Sequence, residues 1–287
     1  MSRIIYVNGR YRPSGEAAVH AEDRGFQFAD AIYEVIEVRA GALVDERRHL
    51  DRLDRSLGEI RMGPPMAPGA LRNVIKETIK RNRVRDGLVY IQVTRGAGPR
   101  DFALPGPDQK QTVVVIARSQ AASAIAAAAE TGISVMSKRD PRWERCDIKT
   151  VMLLPAVLAK DEAKAQGARE VWFLDDAGFV TEGASSNAWI VTTDGKLVTH
   201  GLDRSILPGV TRATAIDAAQ REGLNFEERA FSLKEALGAR EAFITSATNT
   251  VMPVVRIDGT AIGSGRPGPL TLRLRSSFHH VAEISFL

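Results

Sequence analysis

At 287 residues, of which 26% are charged and 44% apolar, the chain is long enough for one large or two ordinary globular domains. The net charge of +4 is small and the basic and acidic residues are interleaved, so there is no basic patch of the kind that binds nucleic acid. A single cysteine, Cys146, excludes an intrachain disulfide framework and a cysteine-based zinc site, and the five scattered histidines offer no metal-ligand spacing.

The start of the sequence contains no signal-peptide core, and no apolar run is long enough to span a bilayer. One cysteine fits a reducing compartment. We therefore expect a cytoplasmic protein with no membrane partner, no nucleic-acid partner and no metal.

Strand signals dominate the beginning of the chain. Asn8-Gly9 is the preferred pair for a tight turn and predicts a hairpin over residues 4–11. Apolar and polar residues alternate over 33–38, which predicts a strand that presents Tyr33 and Glu37 on the same face.

Two helices and two further strands are predicted next. Leucines at helical spacing indicate an amphipathic helix over about 46–61, which carries Arg52. A second helix has its apolar stripe over 71–79. The two strands and the glycine- and proline-rich loop between them are predicted at 88–94, 112–117 and 96–107.

A run of small residues, chiefly alanine and serine, occupies 119–132 and is interpreted as a linker or a short helix. We place the domain boundary there, between an N-terminal domain over 1–118 and a C-terminal domain over 133–287. Strands and helices alternate in the second part, which agrees with an α/β or α+β fold. Strands are predicted at 133–136, 171–174, 187–193, 197–198, 242–245 and 254–257, and helices at 153–165, 210–220, from 232 and from about 269.

Lys149 lies in the charged stretch 142–150, which leads into the apolar run 151–154. This order predicts a lysine at the edge of a core. Desolvation disfavours the ammonium form, and a neutral lysine amine is a nucleophile that forms Schiff bases with aldehydes such as that of pyridoxal phosphate. The ordinary alternative is a lysine whose charged end reaches solvent.

Pyridoxal phosphate also requires a carboxylate for its ring nitrogen and a cradle for its phosphate. Glu182, predicted in a turn between two strands, is the candidate carboxylate, and a solvated turn residue is the alternative. Val210-Thr211 at a helix start and Ser246-Ala247 after a strand are candidate phosphate sites, because helix N-termini expose free N–H groups. Arg52 adds a possible bidentate contact, although a surface arginine is the commoner case.

The substrate carboxylate has its best candidate in Arg100, within the glycine-rich loop, because a guanidinium fork matches a carboxylate. Tyr33 is a candidate hydroxyl donor for the same site. The alternatives are a solvent-facing loop arginine and an aromatic residue that covers a strand face.

Five stretches occur in the order and spacing of the fold-type IV family of pyridoxal-phosphate enzymes, which includes the branched-chain and D-amino-acid aminotransferases. The resemblance covers nearly the whole chain and is greatest to the D-amino-acid aminotransferases. It implies two α/β domains with mixed sheets, the cofactor in the cleft between them, and a homodimer in which a partner loop helps to close the substrate side. The matched stretches are 23–35, 142–150, 181–187, 206–212 and 245–253.

Residue roles follow from the resemblance position by position. Lys149 matches the Schiff-base lysine and Glu182 the partner of the pyridinium nitrogen, with Arg142 supporting that glutamate. Leu207 matches the residue that packs on the ring. Phosphate positions are matched by Arg52, Val210, Thr211, Ser246 and Ala247, and positions that face the substrate carboxylate by Tyr33 and Arg100.

Three departures from the family pattern concern the substrate more than the chemistry. Phe102 stands where an Arg-x-His pair would place histidine, Glu37 stands where lysine is frequent, and Ala247 replaces a threonine. An acidic Glu37 near a carboxylate trap would weaken the trap, or would pair with Arg100 when the site is empty. The altered trap opens the site to less ordinary donors, including primary amines without a carboxylate.

The implied function is the transfer of an amino group from a D-amino acid, such as D-alanine, to a 2-keto acid, such as 2-oxoglutarate or pyruvate, in a ping-pong cycle. Alternatives within the family are R-selective amine transaminase, branched-chain L-amino-acid transaminase and aminodeoxychorismate lyase. Outside catalysis the alternative is a binding protein that retains the fold.

Overall fold

The computed structural model describes residues 3–106 and 108–286, so Pro107 of the predicted loop lies outside the described residues. Contacts divide the chain into two compact units. Unit 1 comprises the chain up to Ala121, the segment Ile148–Met152 and the chain from Glu283, whereas unit 2 comprises Ala122–Asp147 and Leu153–Ala282. Within the described ranges, no helix is long and apolar enough to cross a membrane.

Unit 1 is built on an antiparallel sheet of seven strands, in the order β17-β4-β3-β5-β6-β1-β2. The strands are β1 Ile4–Val7, β2 Arg10–Pro13, β3 Ala31–Arg39, β4 Ala42–Val44, β5 Gly87–Thr94, β6 Thr112–Ser119 and β17 Ile284–Phe286. The helices are α1 Arg24–Phe28, α2 Glu46–Glu59 and α3 Pro68–Arg81.

The predicted elements of this unit are confirmed. The β1–β2 hairpin turns at Asn8 and Gly9, both with positive φ, as a primed turn requires. β3 alternates in burial, with Ile32, Ile36 and Val38 buried on one face. Leucine and isoleucine side chains of β3, α2 and α3 form one apolar core beneath that face.

Unit 2 contains a mixed sheet in the order β12-β11-β10-β14-β15-β7-β8-β9-β13, with β16 beside β15. Its strands are β7 Ile133–Arg139, β8 Glu170–Leu174, β9 Phe179–Gly183, β10 Asn187–Val191, β11 Leu197–Thr199, β12 Phe226–Glu228, β13 Phe231–Ser232, β14 Glu241–Ser246, β15 Thr250–Ile257 and β16 Thr260–Ala261. Its helices are α4 Ala122–Thr131, α5 Leu154–Ala165, α6 Val210–Arg221, α7 Leu233–Leu237 and α8 Pro269–Val281.

Two details differ from the sequence-based expectations, and one alternative that the sequence left open is decided. Glu182 lies on strand β9 and not in a turn, because Phe179–Gly183 pairs with β8. The apolar run 151–154 was expected to be core, and this is wrong: Met152, Leu153 and Leu154 are 44%, 38% and 67% exposed. The small-residue stretch, predicted to be a linker or a short helix, forms helix α4, because alanine has a high helix propensity.

Candidate active site

Lys149 belongs to unit 1, where its segment lies alongside the start of β3. The N–H of Tyr33 donates to the Lys149 carbonyl at 3.0 Å, and the N–H of Val151 donates to the Ala31 carbonyl at 3.2 Å. These bonds hold the lysine at a fixed register against the strand. Lys149 is half-buried as a result. The sequence predicted a partly buried lysine because of the apolar run that follows it, and not because of this pairing.

The lysine side chain lies over an aromatic pair on the sheet. Lys149 Nζ is 4.4 Å from the centroid of the Tyr33 ring, and Tyr33 stacks on Tyr90 with centroids 5.6 Å apart. Burial, with a smaller contribution from Tyr33, raises the pKa of Tyr90 to about 12, so its hydroxyl stays protonated and donates to Gln92. The structure therefore brings together two predicted site residues, Lys149 and Tyr33.

Arg52 is buried on α2 and forms a hydrogen-bonded cluster with Glu34 and His49. Its Nε donates to Glu34 Oε1 at 2.7 Å and its Nη2 donates to Oε2 at 2.8 Å, while His49 Nδ1 lies 2.8 Å from the same Oε2. Glu34 is 0% exposed. The predicted phosphate residue is thus oriented by a carboxylate on the core face of β3.

Electrostatics in this cluster follow from burial and from the arginine. Burial raises the pKa of a carboxyl group, but the charge and hydrogen bonds of Arg52, helped by His49, hold the pKa of Glu34 far below its usual range. Burial lowers the pKa of His49 despite the opposing effect of Glu34. The ionised form of Glu34 contributes to stability above its unfolded pKa of about 4.3, and this contribution declines as the pH falls toward the folded pKa. The neutral form of His49 contributes above its unfolded pKa of about 6.5, and this contribution also declines as the pH falls. Acid therefore destabilises the cluster through both groups.

Sequence reasoning did not single out Glu34 or His49. The signal was present in β3, where the alternation places Glu34 on the face of Ile36 and Val38, and a charged residue on an apolar face must be paired. His49 lies three residues before Arg52 on α2, which is the spacing of neighbours on one helix face.

Arg100 and Phe102 are exposed and lie in the loop that follows β5. The Arg100 guanidinium carbon is 5.1 Å from the Phe28 ring centroid and 5.6 Å from that of Phe102, and the two rings are 5.4 Å apart. The predicted substrate arginine is therefore held between two aromatic rings.

Glu37 lies on the same face of β3 as Tyr33, as predicted, but farther from this loop. Ala31 pairs with Thr94 at the loop end of β5, and Glu37 pairs with Leu88 at the far end. Four residues of antiparallel strand separate Glu37 from Tyr33 by about 14 Å. The structure therefore places Glu37 at a different part of the face from the Tyr33 and Lys149 pair.

Glu182 is the centre of a hydrogen-bonded group in unit 2. Arg142 Nη1 donates to its Oε1 at 2.6 Å, while Asn187 Nδ2 and the Leu207 N–H donate to its Oε2 at 3.1 and 3.0 Å. Only 4% of Glu182 is exposed. The predicted pair of Glu182 and Arg142 is brought together, and the Leu207 backbone joins it.

Arg142 also binds a second carboxylate. Its Nε and Nη2 donate to the two oxygens of Asp140 at 2.9 and 2.8 Å. Burial lowers the pKa of the Arg142 guanidinium, but hydrogen bonding to Asp140 and the charge of Glu182 raise it by more than burial lowers it. The net pKa is raised, so Arg142 stays charged. Burial raises the pKa of nearby Cys146 to about 12, so its thiol is a poor nucleophile at neutral pH.

The start of α6 has the features of an anion site. Its N-cap, Gly209, supplies no side-chain hydrogen bond, so the first N–H groups of the helix are not capped by a side chain. A Cβ on Gly209 would lie 1.9 Å from Asn187 Oδ1, so only glycine fits at this position. Val210 and Thr211 open the helix and are both buried.

Ser246 is the last residue of β14, and Ala247 opens the turn between β14 and β15. Ser246 Oγ lies 3.1 Å from Thr248 Oγ1, and the N–H of Asn249 donates to the Ser246 carbonyl at 3.2 Å. The turn therefore presents hydroxyl groups from Ser246 and Thr248, the second of which the sequence did not indicate.

Each unit, taken by itself, contains groups that fit a part of pyridoxal phosphate. Unit 1 supplies a half-buried lysine amine for an aldehyde and a buried arginine for a phosphate. Unit 2 supplies a buried carboxylate for a ring nitrogen, together with an uncapped helix start and hydroxyl groups for a dianion. Among the residues that the structure describes, no cluster of His, Cys, Asp or Glu is suited to a metal ion.

Comparison with known sequences gives matches over almost the whole chain. A profile of the family described as amino-transferase class IV matches residues 31–257. The D-alanine aminotransferase of Bacillus licheniformis is 39% identical over 291 residues, which cover 96% of this chain and 96% of that protein. The D-alanine aminotransferase of Staphylococcus haemolyticus is 36% identical over 280 residues, which cover 97% of this chain and 98% of that protein.

Solved structures give the same fold. The branched-chain amino acid aminotransferase of Escherichia coli is 26% identical with a TM-score of 0.89, and the match covers 98% of this chain and 95% of that one. A T.th. branched-chain amino acid aminotransferase with pyridoxamine 5'-phosphate is 28% identical with a TM-score of 0.90, over 98% of this chain and 94% of that one. The mixed α/β fold is therefore that of the fold-type IV aminotransferases.

Proposed function

The chain belongs to the amino-transferase class IV family, and we propose that it is a pyridoxal-phosphate-dependent transaminase that moves an amino group from a D-amino acid to a 2-keto acid. D-alanine is the proposed donor, with pyruvate or 2-oxoglutarate as acceptor. The observation that carries the donor class is the near full-length match to D-alanine aminotransferases at 35–39% identity.

When bound, pyridoxal phosphate supplies an aldehyde for the donor amine and a ring that withdraws electrons from the donor α-carbon. Lys149 would hold the aldehyde through its amine, and the freed amine would move the proton that leaves the donor α-carbon. The Tyr33 ring, 4.4 Å from Lys149 Nζ, limits where that amine lies. Arg52, which Glu34 orients, would contact the phosphate.

Unit 2 contains groups suited to the ring nitrogen and the phosphate of the cofactor. Glu182 would accept a hydrogen bond from the ring nitrogen, and Arg142, Asn187 and the Leu207 N–H keep its carboxylate in place. The N–H groups of Val210, Thr211 and Ala247 and the hydroxyl groups of Thr211 and Ser246 would hold the phosphate. The Leu207 side chain would pack on the ring.

A panel of donors tests the proposed function and its competitors. The purified, cofactor-loaded protein is mixed with pyruvate or 2-oxoglutarate and one of five amines: D-alanine, L-alanine, L-leucine and the two enantiomers of 1-phenylethylamine. We expect turnover with D-alanine to exceed that with the other donors. Preference for L-leucine would instead establish the branched-chain activity of the structural relatives, and a protein that takes up no pyridoxal phosphate would be a binding protein.

Glu182→Gln is expected to slow the half-reaction with D-alanine by roughly 10²-fold, because it removes a preorganised charge beside the ring nitrogen. The amide retains the shape and can still accept from Asn187 and Leu207, so the cofactor should remain bound. Stopped-flow absorbance of the loaded enzyme measures the rate. Asp140→Asn is the matched control, since it removes the other carboxylate of Arg142 and should slow the reaction by less than about tenfold. Equal losses in the two variants would refute the role of Glu182.

The assembly is proposed to be a homodimer in the cytoplasm. The dimer is supported by the family resemblance and by exposed apolar side chains on one helix of unit 2: Leu154, Val157 and Leu158 on α5 are 67%, 58% and 61% exposed. The cytoplasmic location is supported by the single cysteine.

A further inference from the structure

Arg24 is a buried arginine for which the proposed chemistry has no use. It belongs to the stretch 23–35, which carries part of the family resemblance, and only 6% of it is exposed. Its Nη1 donates to the carbonyl oxygens of Asp101 at 2.6 Å and of Ala103 at 3.3 Å. Both carbonyls lie in the segment 97–104, here called the Arg100 loop, which is exposed from Pro99 onward.

The Arg24 side chain is fixed at its other edge. Its Nε donates to Asp30 Oδ2 at 2.8 Å, and Asp30 also accepts from Arg95 Nε at 2.7 Å and Arg95 Nη2 at 2.9 Å. The guanidinium carbon of Arg24 lies 4.8 Å from the centroid of Phe28, the ring that also contacts Arg100. Arg24 thus links the ion pair of Asp30 and Arg95 to the backbone on either side of Phe102.

The backbone beside Arg24 adds further contacts at the start of the loop. The Arg24 N–H donates to the Gly96 carbonyl at 2.9 Å, and the Gly98 N–H donates to the Glu22 carbonyl at 3.3 Å. A Cβ on Gly96 would lie 1.8 Å from the Lys110 carbonyl, so the chain can pass there only as glycine. The loop therefore has a fixed base, and Arg24 supplies the side-chain bonds that reach its exposed middle.

We propose that Arg24 is a positioning residue for substrate binding: by holding the Asp101 and Ala103 carbonyls, it fixes the direction in which Arg100 and Phe102 project toward the carboxylate of an acid substrate. This inference rests on the proposed function, because it requires that Arg100 binds a substrate carboxylate. Arg24 touches no substrate. Its effect therefore passes entirely through the loop.

The test compares Arg24→Gln with Arg95→Gln. Both arginines are buried, bind the carboxylate of Asp30 and donate to two backbone carbonyls, but those of Arg95 belong to Ile60 and Arg61, away from the loop. We expect Arg24→Gln to raise the KM for D-alanine and for pyruvate by about tenfold with little change in kcat. This size is expected because the variant loses one or two hydrogen bonds from a charged donor. Arg95→Gln should leave both KM values within about twofold.

Coupling to Arg100 separates positioning from a general structural role. If Arg24 acts through Arg100, the double variant with Arg100→Ala should have the KM of Arg100→Ala alone. The proposal would be overturned if the KM increases of the two single variants multiplied in the double variant. It would also be overturned if Arg24→Gln left the KM unchanged. If the glutamine variant does not fold, Arg24→Lys replaces it: its single amine can still pair with Asp30 but loses the fork, and we expect an intermediate rise in KM.

Amide hydrogen exchange supplies a readout that needs no substrate. The amides of residues 101–104 should exchange faster in Arg24→Gln than in the wild-type protein, and at the wild-type rate in Arg95→Gln. If the wild-type protein turns over no D-amino acid, the proposed function fails, and exchange still decides whether Arg24 anchors the loop. Equal exchange in the two variants would overturn the anchoring.

Discussion

Lys149→Ala is expected to lower transamination of D-alanine by roughly 10⁴-fold or more, since the variant loses both the amine that binds the cofactor aldehyde and the group that moves the α-proton. Among the residues that the structure describes, Lys149 is the lysine whose Nζ lies over the Tyr33 ring. The pairing of the segment Ile148–Met152 with β3 fixes that lysine in one register. The visible absorbance of the lysine-linked cofactor should disappear together with the activity.

Two measurements check this prediction. Steady-state turnover with D-alanine and pyruvate compares Lys149→Ala with Lys164→Ala, an exposed lysine on α5 whose removal should leave the rate unchanged. Borohydride treatment of the wild-type holoenzyme followed by peptide mass analysis should find the cofactor attached to the peptide that contains Lys149. Attachment to another lysine, or a wild-type rate in Lys149→Ala, would refute the assignment.

Local sequence patterns predicted most of the elements because their periodicity is set by one strand or helix at a time. The alternation in β3 and the apolar stripes of α2 and α3 are of this kind. β9 was not predicted, because its five residues include Glu182 and end in glycine, which is not a strand pattern. It is a strand because it pairs with β8 and β13. The short β17 was missed for the same reason, because it exists through its pairing with β4.

The environment of Lys149 shows a different limit. The apolar run after it was the reason for expecting a desolvated lysine, yet Leu153 and Leu154 are exposed. Lys149 is half-buried because its backbone pairs with Ala31 and Tyr33, more than a hundred positions earlier in the chain. A contact between segments so far apart leaves no periodic signal in either of them.

Arg24 and Glu34 were missed although both are near predicted site residues. The alternation of β3 places Glu34 on its apolar face, where a buried carboxylate requires a basic partner, and the structure supplies that partner as Arg52 on α2. Arg24 lies on the five-residue helix α1, which is too short for a periodic pattern. Its role depends on two loop carbonyls, which no side-chain pattern predicts.

Glu34→Gln is expected to lower the free energy of unfolding by about 3 kcal/mol or more at pH 7, although the side chain keeps its size. The substitution removes the negative charge that faces the buried Arg52 and weakens the bonds with both Arg52 and His49. Losing one member of a buried ion pair costs more than the pair contributes in net terms, because the remaining charge stays desolvated. Helix α2 and strand β3 would lose the polar link that joins them through the core.

Urea denaturation of the cofactor-free protein at pH 7 measures this loss. Glu77→Gln is the matched control in the same unit, since Glu77 pairs with Arg81 at 2.7 Å on the exposed face of α3, where both side chains remain in water. A surface pair of this kind contributes about 1 kcal/mol or less. The difference between the two variants therefore isolates burial, because the removed charge and the chemistry of the substitution are the same. If Glu34→Gln were no more destabilising than Glu77→Gln, Glu34 would not be what holds Arg52 in place, and the orientation of the proposed phosphate contact would need another source.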